Sequence, residues 1–261
     1  MNEGIKGYFM RLLIIRHGDP DYEHDTLTEA GRLEVQLLAE RMKNTEVDNY
    51  YVSTMGRAKD TIAPTLEATG RTAEAFDWLR EFNLPTRRPE LHGGYGAVPW
   101  DWLPEDLDAE PILLDPFRWR EQKFFAESGV GKKYDEVTRA FDALLSSHGY
   151  TREGLFYRAE KPSHKTIALF CHFGLSCVLL SHLLNCSPMV LWQGLCMPPS
   201  SVPTVYSEER RPGLASFRAQ SIGDISHLNA NGVAPSVSAR FCEVHGDGGR
   251  EDYNDEVEVE D

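Results

Sequence analysis

Two apolar runs in this chain stop abruptly at a histidine. Residues 11–15 (RLLII) lead into Arg16-His17-Gly18, and residues 166–170 (TIALF) lead into Cys171-His172-Phe173-Gly174. A third β-like segment, residues 50–52, leads through Ser53-Thr54-Met55-Gly56 to Arg57. If the three breaks converge, two guanidinium groups and two imidazoles surround one spot, a cradle suited to a phosphoryl group. Arginine offers planar, multi-donor contacts to phosphate oxygens, and imidazole can donate as well. Neighbouring cations also disfavour imidazolium, so Arg16 and Arg57 would keep His17 neutral and nucleophilic towards phosphorus near pH 7. The remaining need is an acid for the leaving alkoxide. Glu81, expected to close a short strand near the same edge, is the candidate, with Asp19 and Asp21 as fallbacks.

Each of these residues has a plainer reading when taken alone. Arg57 at a helix start is ordinarily a solvated surface arginine, His172 after an apolar strand a satisfied core histidine, and Glu81 a surface glutamate. What favours the site is their joint occurrence, each at a strand-to-loop break.

The elements that must position them read as an alternation of strands and helices. Residues 11–15 and 166–170 are apolar throughout, as strands covered on both faces are. Thr28 is a suitable N-cap for a helix over 29–42, whose apolar set is Leu33, Leu37, Leu38 and Met42. A second helix carries Ala58, Ile62 and Leu66 and ends near Gly70. A short strand is expected over 75–79, and a helical stretch over 117–147 interrupted at 129–131. A further helix is expected over 175–185, and residues 202–207 and 215–219 could pair as a hairpin. Between 83 and 116 proline, glycine and tryptophan dominate without a steady period, the texture of a functional insertion. There Arg87, Arg88, His92, Tyr95, Trp100 and Trp102 are candidates for the pocket wall, although the aromatics could equally form a small core or a subunit contact. The alternation predicts an α/β layered fold.

Composition narrows the function. The 261 residues suffice for one large α/β domain or two small ones, and carry a net charge of −14. Nine carboxylates against a single arginine lie between Glu243 and Asp261, leaving about −6 for the rest. A nucleic-acid binder needs a basic stripe, so none is expected as a partner. No apolar run is long enough to span a bilayer and the N-terminus lacks a signal peptide, so a cytoplasmic chain with no membrane contact is expected. Five scattered cysteines without CxxC spacing argue against a disulfide framework or a structural zinc site. The histidines show no metal-ligand spacing, and neither a metal nor another cofactor is expected. Other routes to phosphate chemistry are missing. No cysteine begins Cys-x5-Arg, since the residue six beyond Cys171 is Cys177, and there is no GxxxxGK[ST] loop.

In their order, LLIIRHGDP (12–20), LTEAGR (27–32), STMGRAKDT (53–61), WLREF (78–82), ALFCHFG (168–174) and GDISHL (223–228) resemble the histidine phosphatase superfamily, the phosphoglycerate-mutase-like fold. The resemblance implies a three-layer α/β/α sandwich with a central, mostly parallel sheet and a helical and loop insertion (about 83–150) near the active site. It implies a domain over 1–230 followed by an acidic tail over 231–261. It further implies a phosphate pocket of Arg16, His17, Arg57 and His172, with His17 as nucleophile and Glu81 at the position of the usual acid. Two departures stand out. Glu23 occupies a position where many members carry asparagine, and the segment after Glu81 lacks the acceptor residues expected of phosphoglycerate mutases, which favours net hydrolysis. The reading is therefore a metal-independent phosphatase acting on a small phosphomonoester through a phosphohistidine, in a chain that could self-associate. A phosphoglycerate-mutase-type phosphotransferase and a non-catalytic phospho-ligand binding protein are the alternatives.

Overall fold

The computed structural model describes residues 9–86, 98–100, 102, 104–236 and 238. Arg87, Arg88, His92, Tyr95 and the acidic stretch from Glu243 onward lie outside the described residues.

The strands are β1 (Arg11–Arg16), β2 (Pro20–Asp21), β3 (Thr26–Leu27), β4 (Asn49–Ser53), β5 (Ala73–Phe76), β6 (Tyr150–Glu153), β7 (Phe156–Ala159), β8 (Thr166–Cys171), β9 (Thr204–Arg211) and β10 (Leu214–Ser221). The helices are α1 (Glu29–Lys43), α2 (Gly56–Thr69), α3 (Pro104–Ala109), α4 (Lys123–Ser128), α5 (Val130–Ser147), α6 (Phe173–Leu184), α7 (Pro188–Gly194) and α8 (Ser226–Asn229). Eight strands form one sheet in the order β5-β4-β8-β1-β9-β10-β7-β6. The half holding β5, β4, β8 and β1 is parallel, and β9 to β6 continue it as an antiparallel wing.

Strand alternation divides the core between two faces. Leu12, Ile14, Ile167 and Leu169 point into one layer with α5, α6, α7 and the buried aromatics Trp119, Phe125 and Phe141. Leu13, Ile15, Ala168 and Phe170 point into the other, against Leu38, Met42, Ala58 and Ile62 of α1 and α2. The sheet is thus sandwiched between helical layers, as the apolar runs predict. Leu12, Ile14, Ile167 and Leu169 are fully buried, and each such side chain contributes roughly 1.5–3 kcal/mol.

Thr28 caps α1 as expected, its hydroxyl accepting from the Gly31 N–H at 3.0 Å. Leu33, however, is half exposed; the buried stripe of α1 is Val35, Leu38, Ala39 and Met42, with Glu34 among them. The strand expected over 75–79 ends at Phe76, and Asp77–Leu79 form a 3-10 turn. Trp78 and Leu79 both join the same core layer, whereas an extended strand would send consecutive side chains to opposite faces. The helical stretch expected over 117–147 is a 3-10 turn, Trp119–Glu121, followed by α4 and α5 with Gly129 between them. The hairpin forms as β9 and β10, and α6 starts two residues early, at Phe173. Strands β6 and β7 carry weak sequence patterns and were not expected. Within the insertion, Trp102, Trp119 and Phe125 form core rather than surface.

Candidate active site

The sheet brings the two histidines side by side. β1 and β8 are parallel neighbours with Arg16 opposite Cys171, so His17 and His172 leave adjacent strand ends together. Their ring centroids are 5.1 Å apart, with planes inclined at 56°. On the other side of β8 lies β4, whose last residue is Ser53, and α2 opens three residues later with Arg57 in its first turn. Carboxyl ends of parallel strands are where α/β sheets bind ligands.

His17 is almost fully buried, and its Nδ1 lies 2.7 Å from the Gly18 carbonyl oxygen. A carbonyl can only accept, so Nδ1 carries the proton and Nε2 keeps its lone pair. Burial, followed by the charges of Arg16 and Arg57, holds the His17 pKa well below its usual value, although the Gly18 bond opposes this. His172 is fully buried and meets the Ser53 hydroxyl through Nε2 at 2.8 Å. Its pKa is likewise held well below the usual value, by burial first and then by His17, Arg57, Arg16 and Arg80.

Arg16 is anchored from behind. Nη1 donates to the Met197 carbonyl at 2.6 Å and Nη2 to the Ser238 carbonyl at 3.3 Å. Arg57 Nη1 donates to Asp25 Oδ1 at 2.6 Å, while Asp25 Oδ2 accepts the Gly56 N–H at 2.7 Å. The Arg57 guanidinium lies 5.4 Å from the ring centroid of the exposed Tyr22. Among the described residues, Nε of both arginines and Nδ1 of His172 are buried without a hydrogen-bond partner. Buried polar nitrogens are normally satisfied, so this cluster marks the place suited to an anion.

Glu81 sits at the N-terminus of α6. Its Oε1 accepts the Phe82 N–H at 2.8 Å and the Leu175 N–H at 3.0 Å. Burial pushes its pKa up; the Phe82 and Leu175 N–H groups, Arg57 and Arg16 pull it down by less. A Cβ on Gly174 would lie 2.9 Å from Glu81 Oε1 and 2.1 Å from the Trp100 ring, so only glycine allows this closeness. Trp100 also meets Phe173 edge-on at 5.9 Å, which places it as a wall beside the α6 N-terminus.

The fallback acids are otherwise engaged. Asp21 accepts from His24, which holds its pKa below the usual carboxylate range. Asp19 accepts from the hydroxyls of Thr28 at 2.6 Å, Ser236, and Ser238 at 2.7 Å. The segment after α8 therefore lies against the loop that follows His17. Glu23 is exposed.

Sequence reasoning did not single out Asp25, Ser53, Arg80, Ser200 or His227. Arg80 donates to the Thr54 hydroxyl at 3.2 Å, and its charge reaches His172. Ser53, Arg80 and His227 fall within the motifs quoted above, which was their available signal; Asp25 and Ser200 had none. Among the described residues no group of three or more His, Cys, Asp or Glu is placed to hold a metal ion. No helix among them is long and apolar enough to cross a membrane.

Residues 12–90, which hold Arg16, His17, Arg57 and Glu81, match the family model described as Histidine phosphatase superfamily (branch 1). A probable phosphatase of Schizosaccharomyces pombe is 40% identical over 82 residues, covering 28% of this chain and 39% of that protein's length. A mycobacterial glucosyl-3-phosphoglycerate phosphatase solved with VO3 shares the fold at a TM-score of 0.52 and 21% identity, over 82% of this chain and 98% of its own. A phosphoglycerate mutase from Bacillus anthracis does so at 0.55 and 18%, over 85% of this chain and 96% of its own. Residues 12–90 thus resemble the histidine phosphatase superfamily, and the sheet with its converging strand ends has the fold of these solved structures.

Proposed function

We propose that the protein is a cytoplasmic, metal-independent phosphatase that hydrolyses a small phosphomonoester through a phosphohistidine on His17. The observation that carries this reading is the buried cluster of Arg16, His17, Arg57 and His172 at the carboxyl ends of β1, β4 and β8. The matched superfamily and the phosphatase relatives support it.

In this mechanism Arg16 and Arg57 hold the phosphoryl oxygens and neutralise their charge. Ser53 donates its hydroxyl to His172 Nε2, which leaves Nδ1–H to donate to the phosphoryl group. The His17 Nε2 lone pair forms the N–P bond as the P–O bond to the alcohol breaks, and Glu81 gives its proton to the leaving oxygen. Water then attacks phosphorus and returns a proton to Glu81. The N–P bond breaks with its electron pair going back to Nε2, and inorganic phosphate leaves. The upward direction of the Glu81 shift, caused by burial, supports the acid role, because it favours the protonated carboxyl that has a proton to give.

The test is an acid-sensitive, base-stable phosphoenzyme trapped from a labelled phosphomonoester, together with phosphate release. Both should vanish in His17→Ala and persist in excess chelator. Isomerisation of 3-phosphoglycerate without phosphate release would overturn the hydrolytic reading, and loss of turnover on chelation would overturn metal independence.

A further inference from the structure

We infer that Thr61 is a positioning residue that sets the proton location on His17. The inference rests on His17 being the nucleophile. Thr61 lies in the second turn of α2, fully buried. Its hydroxyl donates to the Arg57 carbonyl at 2.7 Å and accepts the Gly18 N–H at 3.0 Å. The same Gly18 peptide unit region then accepts from His17, through its carbonyl at 2.7 Å. A chain of three hydrogen bonds thus runs from the backbone of Arg57 through Thr61 and Gly18 to the nucleophile's ring.

A threonine hydroxyl bonded to the carbonyl four residues back is common in helices and by itself means little. What distinguishes Thr61 is that its lone pair takes a backbone N–H from a different strand end, 43 residues away. The Gly18 N–H is thereby held, and the carbonyl that follows is aimed at Nδ1. Gly18 has little room to adjust by itself: a Cβ there would lie 2.8 Å from Val35 Cγ1 and 3.1 Å from the Gly31 carbonyl oxygen. With Nδ1 as the donor, Nε2 is the nitrogen with the lone pair. The opposite tautomer would put a hydrogen where the phosphorus must approach. Thr61 also ties this loop to α2, so that the nucleophile and Arg57 keep a common frame.

The test compares the full chain with Thr61→Ser and Thr61→Val by 15N–1H ring spectra of His17 without substrate, and by steady-state kinetics on p-nitrophenyl phosphate. The His17 signals are assigned by their loss in His17→Gln. Wild type and Thr61→Ser should both show His17 protonated at Nδ1, with kcat within about twofold of each other. Thr61→Val should show a mixture of tautomers and lose about tenfold or more in kcat, with KM little changed. A Thr61→Val protein that keeps the wild-type ring spectrum and kcat overturns the inference, as does a wild-type His17 protonated at Nε2. Should Thr61→Val fail to fold, Thr61→Ala removes the same hydroxyl without adding bulk and is judged by the same two readouts. Because the spectra need no substrate, a chain that hydrolyses no phosphomonoester overturns the proposed reaction and leaves the positioning claim to be read independently.

Discussion

Ser200 donates its backbone N–H to the carbonyl oxygen of His17 at 2.9 Å while standing in the left-handed region, with φ at +59°. Its hydroxyl meets Nε2 of the buried His227 at 3.0 Å. The loop behind the nucleophile is therefore held in a conformation that most residues avoid. Ser200→Gly should fold with stability within about 1 kcal/mol of wild type, because relief of the left-handed backbone offsets the lost hydroxyl bond. Ser200→Val should lose about 2 kcal/mol or more, because a β-branched side chain is poorly tolerated there. Urea denaturation midpoints check this, and equal midpoints for the two variants would contradict it.

Glu81 offers a contrast between substrates. Glu81→Gln keeps an oxygen for the Phe82 and Leu175 N–H groups but has no proton to transfer. Hydrolysis of alkyl phosphates should fall roughly 10²-fold or more, whereas p-nitrophenyl phosphate, whose leaving group needs little protonation, should be far less affected. Equal losses on both substrates would remove Glu81 from the acid role.

Glu34 should shape how stability depends on pH. It is 2% exposed, and its carboxyl accepts the Asp19 N–H at 2.9 Å. Burial pushes its pKa up to about 7, helped by the Asp19 carboxylate and opposed by the N–H groups of Asp19 and Ser236 and by Arg16. Between about 4.5 and about 7 the folded chain holds a proton that the unfolded chain has released, so this residue's contribution declines as pH rises through that window. Glu34→Gln should match wild type near pH 4 and exceed it by about 1–3 kcal/mol at pH 8. His227, lowered to about 4 by burial first, acts with the opposite sign and loses its contribution as pH falls from about 6.5 towards 4. The difference between variant and wild type across pH isolates Glu34.

Asp25 holds Arg57 by an ion pair and itself stands at φ +48°. Its pKa is lowered although burial pushes it up, because the Gly56 N–H and Arg57 prevail. Asp25→Asn tolerates that backbone but drops the charge, and should raise KM for a phosphomonoester several-fold, by up to about tenfold, with a smaller change in kcat. Asp25→Ala, which also loses the Gly56 bond, should raise it further. Unchanged kcat/KM in both would show that Arg57 does not depend on this partner.

The sequence by itself determined an α/β layered fold with strands covered on both faces, and pointed to Arg16, His17 and His172 at strand breaks and to Arg57 at the start of the helix after β4. Periodicity shows in the apolar runs of β1 and β8 because side chains alternate between two buried faces. A strand that ends in a polar motif must place it in a loop. Tertiary structure decided everything that depends on which strands are neighbours. β8 lies between β1 and β4, so His17, His172 and Ser53 meet although they are far apart along the chain. The partners that tune them, Asp25 on Arg57, Thr61 on Gly18 and Ser200 on His17, are single polar contacts across such junctions. They leave no periodic trace, because a hydrogen bond is set by the positions of two atoms and not by a pattern of hydrophobicity.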